Sequence, residues 1–435
     1  MADVMIAAMP FTGHVVPLLH VAEALAAAGH RVRVHVGSHF ADRVRAAGAE
    51  HVPWQRAPDF DERDLRAVFP QTGRGGPLGV LTNLEHVFVR TGAGQVHDLL
   101  AAWQRRPWDL LVADGFSTGG ALVSERLGVP WASVSTGPLT VPSRDLPPPG
   151  LPLAPARGPL GRARDTALRG AFAALSRPLR TALRETRAAV GLEPGAVTLE
   201  QQWISPHLVL ALGIAELEAP RSDLPAHVHF VGSFPPGGAD EDLPPGWARA
   251  LEAPRPVVHV TQGTFGTDPQ QLLRPALEAL GGRDVTVAAV TGVIGRDALP
   301  FDPPPNAVVA ARVPYGRLLP RTDVVVTNGG WGGVVAALRH GIPLVVAGAD
   351  LDKPLVAAMV ARSGAGIDLR TGRPPARAVG AAVDRVLAEP SYRRAATGLA
   401  ARFAAHDTAA EVVGLLERLL RDRAPVRRAG DPWGR

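Results

Sequence analysis

A glycine-rich segment in the second half of the chain has the composition of a phosphate-binding loop. Residues 328–333 read Asn-Gly-Gly-Trp-Gly-Gly, after an apolar stretch at 323–327 that is typical of a buried strand. A helical pattern follows at 334–339. Glycines before a helix leave backbone N–H groups able to approach an anion, and the helix dipole adds partial positive charge there. The spacing indicates a diphosphate site, although a tight turn that needs glycine conformations is an alternative.

Two charged residues lie in the next loop along the predicted sheet. Asp352 and Lys353 follow a second apolar stretch at 343–347. In an open parallel sheet, ligands bind at the carboxyl ends of the strands, so both loops are expected at one edge. Asp352 and Lys353 could then reach a sugar attached to the diphosphate. A solvated polar loop is the alternative interpretation.

A third segment spells the G-x-S-x-G motif of a nucleophile elbow. Residues 115–119 read Gly-Phe-Ser-Thr-Gly, between a predicted strand at 110–113 and a predicted helix at 118–127. In an α/β-hydrolase, Ser117 would be the nucleophile, and His406 and Asp407 could serve as its partners. The sequence has no HGGG-type oxyanion loop, and a hydrolase leaves the second half of the chain unexplained. A serine hydrolase is therefore kept as an alternative function.

Strand and helix patterns alternate along both halves, which predicts two doubly wound α/β domains with a cleft between them. We expect an N-terminal domain at 1–232, a proline- and glycine-rich linker at 233–245, a C-terminal domain at 246–405, and a C-terminal helix and tail at 406–435. The last dozen residues are expected to be frayed. The predicted strands are 4–9, 31–36, 110–113, 129–134, 256–260, 285–290, 307–313, 323–327 and 343–347.

The composition excludes several classes of function. The 435 residues contain no cysteine, which removes disulfides, thiolate metal sites and cysteine nucleophiles. The net charge of +5 is small for this length and the arginines are scattered, which argues against a nucleic-acid partner. The sequence starts without a signal segment, and no apolar run approaches the roughly 20 residues of a membrane span. We therefore expect a cytoplasmic monomer or homodimer without a transmembrane segment.

Motifs spread over nearly the whole chain resemble one enzyme family. Residues 341–343, 352–354 and 364–366 read Gly-Ile-Pro, Asp-Lys-Pro and Gly-Ala-Gly. Together with the glycine loop they resemble the donor site of the UDP-glycosyltransferase family, particularly its bacterial natural-product (macrolide and polyketide) branch. Residues 10–17, Pro-Phe-Thr-Gly-His-Val-Val-Pro, resemble the family's opening strand, loop and helix. The resemblance implies the GT-B fold, in which two Rossmann-like domains face each other across a cleft, the first binding the acceptor and the second the sugar donor.

The resemblance also implies the catalytic groups and the reaction. His14 matches the family's general base in the opening loop, which removes the proton of the acceptor hydroxyl as that hydroxyl attacks the anomeric carbon. Asp114 matches the aspartate that orients this histidine. The implied reaction inverts the anomeric centre and needs no metal or other cofactor. Two acid-x-acid triplets, at 59–61 and 350–352, are of a kind that holds divalent ions in other glycosyltransferases, but neither has further clear ligands beside it.

Further matched positions receive binding roles from the same resemblance. In the second domain they would hold a UDP-sugar or a dTDP-sugar, with Arg312 and Val313 at the base. In the first domain, apolar side chains would line the cleft for a small acceptor such as a polyketide, a macrolide or a phenol. The implied donor-binding residues are Gly263, Thr264, Arg312, Val313, Asn328, Gly329, Gly330, Trp331, Gly332, Gly333, Asp352 and Lys353. The candidate acceptor-binding residues are Phe11, Trp54, Phe60, Phe88 and Leu139.

Three positions depart from the family pattern. Asn328 stands where the family usually has a phosphate-contacting histidine, Gly333 where it has a threonine or serine, and Lys353 where it has a glutamine. An asparagine can donate an N–H group but cannot be cationic. A nucleotide-sugar-binding protein without catalysis is therefore a further alternative, and the choice of sugar stays open.

Overall fold

A computed structural model describes residues 1–434 except 74–75, 157, 196, 264–265, 267, 294 and 296. It confirms the predicted fold class, because two parallel β-sheets, one in each half of the chain, are covered by helices. The first sheet contains β1 (Asp3–Ala7), β2 (Arg31–Val36), β3 (Glu50–Pro53), β4 (Leu110–Asp114), β5 (Trp131–Ser135), β6 (Leu208–Ala211) and β7 (Val228–Phe230). The second contains β8 (Val257–Thr261), β9 (Thr286–Val290), β10 (Ala307–Ala310), β11 (Val324–Thr327), β12 (Leu344–Val346) and β13 (Gly366–Asp368).

The helices bury both faces of each sheet. Successive residues of β1 alternate between two apolar clusters, with Val4 and Ile6 in one and Met5 and Ala7 in the other. The helices are α1 (Thr12–Ala27), α2 (Ala41–Ala46), α3 (Leu65–Val68), α4 (Gly76–Asn83), α5 (Gly92–Arg105), α6 (Thr118–Leu127), α7 (Gly158–Leu175), α8 (Arg177–Ala189), α9 (Leu199–Trp203), α10 (Trp247–Leu251), α11 (Leu273–Leu280), α12 (Tyr315–Leu318), α13 (Trp331–Arg339), α14 (Lys353–Arg362), α15 (Ala376–Ala388), α16 (Pro390–Ala404) and α17 (Thr408–Asp422). Single 3₁₀ turns lie at Ser38–Phe40, Glu62–Asp64, Ala215–Leu217 and Leu319–Arg321, and a π-helix at Leu84–Val89.

In each sheet, successive strands are first added on one side of the first strand and then on the other, which creates one topological switch point. The first sheet has the order β3-β2-β1-β4-β5-β6-β7, with Ala7 of β1 paired to Ala113 of β4. The second has the order β10-β9-β8-β11-β12-β13, with Thr261 of β8 paired to Thr327 of β11. Ligands of doubly wound folds bind beyond the carboxyl ends of the strands at such switch points. Ligand binding is therefore expected at the loops after β1, β4, β8 and β11.

The predicted strands are all present, with shifts at their ends, and the structure adds β3, β6, β7 and β13. One shift matters for function. The helix predicted at 334–339 begins earlier, at Trp331, so that Gly332 and Gly333 lie in the first turn of α13 rather than in a loop. The predicted linker at 233–245 falls between β7 and α10.

The C-terminal helix α17 leaves the second domain and packs on the first. Val412, Leu416 and Leu419 share a buried cluster with residues of α1, β1 and β2. The tail beyond α17 continues along the first sheet, where the backbone N–H of Val426 donates to His207 and the Trp433 indole donates to Ala215. The expectation of a frayed tail was wrong, because its apolar and arginine side chains find buried partners on the first domain. Among the helices of the described residues, none is both long and apolar enough to cross a membrane.

Candidate active site

A histidine and an aspartate meet at the switch point of the first sheet. Asp114 is the last residue of β4, and His14 lies in the first turn of α1, not in the loop that the sequence suggested. The Nδ1 atom of His14 lies 2.8 Å from the Oδ2 atom of Asp114. The Asp114 carboxylate is itself held by the backbone N–H groups of Met9 and Phe116. Since Nδ1 is engaged by a carboxylate, Nε2 is the nitrogen that can accept a proton.

Charges around His14 favour its protonated form. The carboxylate of Asp114 is fully buried, whereas the His14 side chain is 22% exposed. Burial alone lowers the pKa of His14, but the Asp114 carboxylate, with contributions from Asp352 and Glu62, raises it above its usual 6.5. A base with a raised pKa near the operating pH takes up a proton more readily in a transition state.

Aromatic side chains form a wall beside this histidine. Phe11 stacks on Phe88 with ring centroids 5.4 Å apart and lies 5.2 Å from Phe60. The ring of His14 contacts Phe116 edge-on, with centroids 5.4 Å apart, and Phe116 contacts Trp203. Sequence reasoning named Phe11, Phe60 and Phe88 but missed Phe116, although it directly follows the end of β4, and Trp203, which is distant in sequence.

The remaining acceptor candidates occupy two places. Trp54 is buried within the same aromatic cluster, with its ring 6.0 Å from Phe60. Leu139 belongs to a different cluster, with Val209 and Val228 of the first sheet. It lines a cavity of about 50 Å³ between the proline-rich segment and α14. A cavity of this size has room for water but not for a polyketide.

The serine of the G-x-S-x-G motif has a structural role. Ser117 is 2% exposed and caps α6, where its side chain accepts the backbone N–H of Gly120. Its hydroxyl donates to the Oε1 atom of Gln95 at 3.0 Å. His406, the proposed partner, pairs instead with Glu411 in α17. The geometry therefore does not favour a serine hydrolase.

The glycine loop of the second domain is a turn that opens directly into a helix. Gly329 has a φ of +88°, which favours glycine, and Gly330 is the residue before α13. The backbone N–H of Gly329 donates to the hydroxyl of Thr327. The first N–H groups of α13, from Trp331 to Gly333, have no partner within the helix by geometry and are suited to an anion.

The loop after β8 repeats this arrangement on the neighbouring strand. Gly263 has a φ of +68°, and its N–H donates to the hydroxyl of Thr261, the register partner of Thr327. Asn328 joins the two loops, because its Nδ2 atom donates to the backbone carbonyl of Gln262. One of the two N–H groups of the Asn328 amide, which was expected to replace the donor of the family histidine, is thus used within the protein. Thr264 lies outside the described residues.

Trp331 connects the glycine loop to the first domain. Trp331 is 8% exposed, and its indole Nε1 atom donates to the carbonyl of Leu212, just after β6, at 3.1 Å. A Cβ atom at Gly213 would lie 3.1 Å from the indole ring, so a side chain there would require the ring to shift by a few tenths of an ångström. The side chain of Trp331 is therefore an interdomain contact, and only its backbone N–H belongs to the turn.

Two further predicted donor residues lie at the edge of the second sheet. The guanidinium of Arg312 forms two hydrogen bonds with the carboxylate of Glu241 in the segment between the domains. This ion pair lowers the pKa of Glu241. Val313 is buried in the apolar cluster that includes Leu318.

Asp352 and Lys353 have different surroundings: Asp352 faces the first domain, whereas Lys353 pairs with Asp350 of its own loop. Asp352 lies across from the first domain, where a Cβ atom at Gly137 would be 3.8 Å from its Oδ2 atom. Burial raises the pKa of Asp352 above its usual 3.8, while Lys353 and His14 oppose this rise. Lys353 is 8% exposed, and its Nζ atom is 2.5 Å from Oδ1 of Asp350. The edges of the two sheets thus face each other, with Asp352 between them.

The acid-x-acid triplets are engaged elsewhere. Asp59 accepts the backbone N–H of Ser38, and Asp61 pairs with Arg63. Asp350 pairs with Lys353, as described above. Among the described residues, no three His, Asp or Glu side chains lie close enough together to hold a metal ion.

Comparisons with known proteins agree with this architecture. The family model of the erythromycin biosynthesis protein CIII-like C-terminal domain matches residues 291–419. The 4'-demethylrebeccamycin synthase of Lentzea aerocolonigenes is 40% identical over 425 residues, which cover 96% of this chain and 100% of that protein. The crystal structure of the calicheamicin glycosyltransferase has a TM-score of 0.76 at 21% identity and covers 98% of this chain and 100% of that one.

A further solved structure carries a nucleotide. The glycosyltransferase of Streptomyces sp. SF2575, complexed with thymidine diphosphate, has a TM-score of 0.68 at 23% identity and covers 96% of this chain and 100% of that one. Fold, sites and comparisons together define a glycosyltransferase of the GT-B type. The chain belongs to the UDP-glycosyltransferase family, in the branch of bacterial natural-product enzymes.

Proposed function

We propose that this glycosyltransferase moves a sugar from a UDP- or dTDP-sugar to a hydroxyl of a small apolar natural product, with inversion and without a metal ion. The observation that carries the proposal is the 2.8 Å contact between His14 and Asp114, placed at the switch point of the first sheet and beside an aromatic wall. This arrangement leaves Nε2 of His14 available as a base. It also surrounds the base with apolar surface suited to an aglycone.

In the proposed reaction, Nε2 of His14 takes the proton of the acceptor hydroxyl while the hydroxyl oxygen bonds to the anomeric carbon. The bond between the anomeric carbon and the diphosphate oxygen breaks, and the electron pair leaves with the nucleotide. Attack from the side opposite the leaving group inverts the anomeric centre. Asp114 stabilises the imidazolium that forms.

The leaving diphosphate gains negative charge in this step, and the second domain supplies fixed dipoles for it. The turn at Gly329 and Gly330 and the first N–H groups of α13 are the proposed cradle, together with Gly263 on the adjacent loop. Backbone donors of this kind need no cation, which supports metal independence. Asp352 and Lys353 are proposed to lie near the sugar, and Arg312 and Val313 near the base.

The choice between UDP and dTDP is part of the proposal. The thymidine diphosphate in the Streptomyces relative supports a thymidine nucleotide. The family name supports a uridine nucleotide. Both bases offer the same carbonyl and N–H groups at one edge, so a backbone contact could read either one.

The proposal is tested by incubating the full chain with UDP- and dTDP-sugars and a panel of phenolic, macrolide and polyketide acceptors, followed by mass spectrometry. We expect the acceptor mass to increase by one sugar unit, equally with and without EDTA. NMR of the product should show an anomeric configuration opposite to that of the donor. Retained configuration, or loss of product with EDTA that added Mg²⁺ restores, would refute the mechanism. No stabilisation by any UDP or dTDP in a thermal shift assay would argue against the donor site.

A further inference from the structure

A carboxylate from a distant segment holds the first turn of the helix that carries His14. Glu62 lies in the 3₁₀ turn Glu62–Asp64, and its Oε2 atom accepts the backbone N–H of Thr12 at 2.9 Å. Its other carboxylate oxygen accepts the hydroxyl of Thr12. Thr12 is the first residue of α1 and His14 is the third. One side chain therefore fixes the backbone of the turn from which the imidazole projects.

The start of α1 needs such a partner. The first N–H groups of a helix have no acceptor within it, and a side chain at the preceding residue usually supplies one. Here that residue is Phe11, whose ring belongs to the aromatic wall and has no oxygen to accept a hydrogen bond. Glu62 supplies the acceptor from outside the helix, so that position 11 is free to hold an apolar side chain beside the base.

The charge of Glu62 also acts on His14. The N-terminus of a helix carries partial positive charge, which disfavours an imidazolium in the first turn. The charged groups that face His14 are Asp114 from β4, Asp352 from the second domain, and Glu62, and each of these carboxylates raises its pKa. Arg63, the cation next to Glu62, is paired with Asp61.

We propose that Glu62 is a positioning residue for the catalytic base: it caps the first turn of α1 and offsets the helix dipole when His14 takes up the acceptor proton. This inference rests on the role proposed above for His14. Glu62 itself is not placed in contact with the sugar or the acceptor. Its effect passes through the backbone at Thr12 and through the electric field at the imidazole.

The first test measures His14 directly and needs no substrate. The full chain, labelled with ¹³C-histidine, is titrated by NMR, and the His14 signal is assigned by its loss in His14→Ala. In Glu62→Gln the amide oxygen can still accept from Thr12, but the charge is gone, so the His14 titration should shift to lower pH. Glu23→Gln is the matched control, because it removes a carboxylate from the exposed side of α1, where Glu23 pairs with His20. That control should leave the His14 titration in place.

The second test separates positioning from charge by steady-state kinetics. It uses a nucleotide sugar and an acceptor between which the enzyme transfers the sugar. The base must be neutral to act, so activity rises as pH increases through the pKa of His14, and Glu62→Gln should move this acid limb to lower pH. Its plateau kcat should fall about threefold because a weaker base accepts the proton less readily. Glu62→Ala also loses the cap, and its kcat should fall about tenfold, with KM for the nucleotide sugar unchanged.

The outcomes distinguish this inference from the proposed function. If His14→Ala is inactive but Glu62→Gln leaves both the NMR titration and the acid limb unchanged, the charge of Glu62 does not act on the base, and this inference is overturned while the proposed function stands. If His14→Ala keeps full activity, the proposed base is wrong and the inference falls with it. If Glu62→Ala does not fold, the charge effect in Glu62→Gln still decides the question.

Discussion

The two sheet edges that face each other in this enzyme are built in opposite ways. At the first edge, the proposed chemistry belongs to side chains: His14 and Asp114 are in direct contact, and aromatic rings lie beside His14. At the second edge, the candidate donor site is made of backbone, with two glycines of positive φ in the loops after adjacent strands and the start of α13. Several of its polar side chains are engaged within the protein: Asn328 donates to the backbone of Gln262, and Lys353 pairs with Asp350.

This difference explains why the departures from the family pattern fall where they do. A backbone cradle depends on chain conformation and tolerates a change of side chain as long as the turn is kept. Asn328 replaces a histidine but binds the carbonyl of Gln262, which joins the two glycine loops. A side-chain base has no such tolerance, since only a residue of suitable pKa at one position can act.

The largest effect is expected from substitution of His14, the proposed side-chain base of the first edge. We expect His14→Ala to lower kcat by about 10³-fold, because the acceptor hydroxyl loses its base. Affinity for UDP and dTDP, measured by isothermal titration calorimetry, should stay within about twofold because the proposed donor site is on the other sheet. His20→Ala, on the exposed side of the same helix, is the control and should retain activity. Equal losses in the two variants would indicate damage to α1 rather than loss of a base.

A second substitution tests whether the donor site is a backbone structure. Gly329→Ala would place a Cβ atom 2.8 Å from Val346 and impose a φ of +88° on an alanine. We expect affinity for the nucleotide diphosphate to fall about tenfold, since strain of this kind costs roughly 1–2 kcal/mol and opens the turn. Gly282→Ala is the control, because its φ is +73° but it precedes β9 at the opposite edge of the same sheet. Gly282→Ala should lower the stability of the protein without lowering its nucleotide affinity. If Gly282→Ala lowers nucleotide affinity and Gly329→Ala does not, the proposed backbone cradle is contradicted.

The smallest effect is expected at Ser117. Its hydroxyl caps α6 and binds Gln95, so Ser117→Ala should lower the unfolding free energy by about 1 kcal/mol and change the transfer rate by less than about twofold. Chemical denaturation and the transfer assay measure the two quantities. A loss of transfer comparable to that of His14→Ala, or covalent labelling of Ser117 by a fluorophosphonate, would place the chemistry of the first edge on the serine instead.

Most of the sheet framework could be predicted from the sequence, because parallel strands buried on both faces are continuous apolar runs. The strands that sequence reasoning missed are short, such as Gly366–Asp368, or begin with polar residues, such as Glu50–Pro53. The start of α13 was misplaced because glycine has low helix propensity, and tertiary packing of Trp331 against the first domain overrides that preference.

The candidate site was only partly predictable for a related reason. His14 and Asp114 follow strands and match motifs, so their positions can be read along the chain. Glu62 and Trp203 contact residues of the candidate site that are far away in sequence, and neither lies in a recognisable pattern. The pairing of Arg312 with Glu241 was also not predictable, since a single sequence does not reveal which exposed charges form ion pairs.

The packing of α17 on the first domain affects the folding of the chain during its synthesis. During synthesis the first sheet emerges early, yet the apolar surface of α1 that Val412, Leu416 and Leu419 cover stays open until the second domain has been translated. The nascent N-terminal half therefore carries an uncovered hydrophobic strip for most of translation, a feature that attracts chaperones and favours misassembly. Removal of α17 should accordingly lower the soluble yield of the first domain, and expression of that domain alone should require a replacement for this helix.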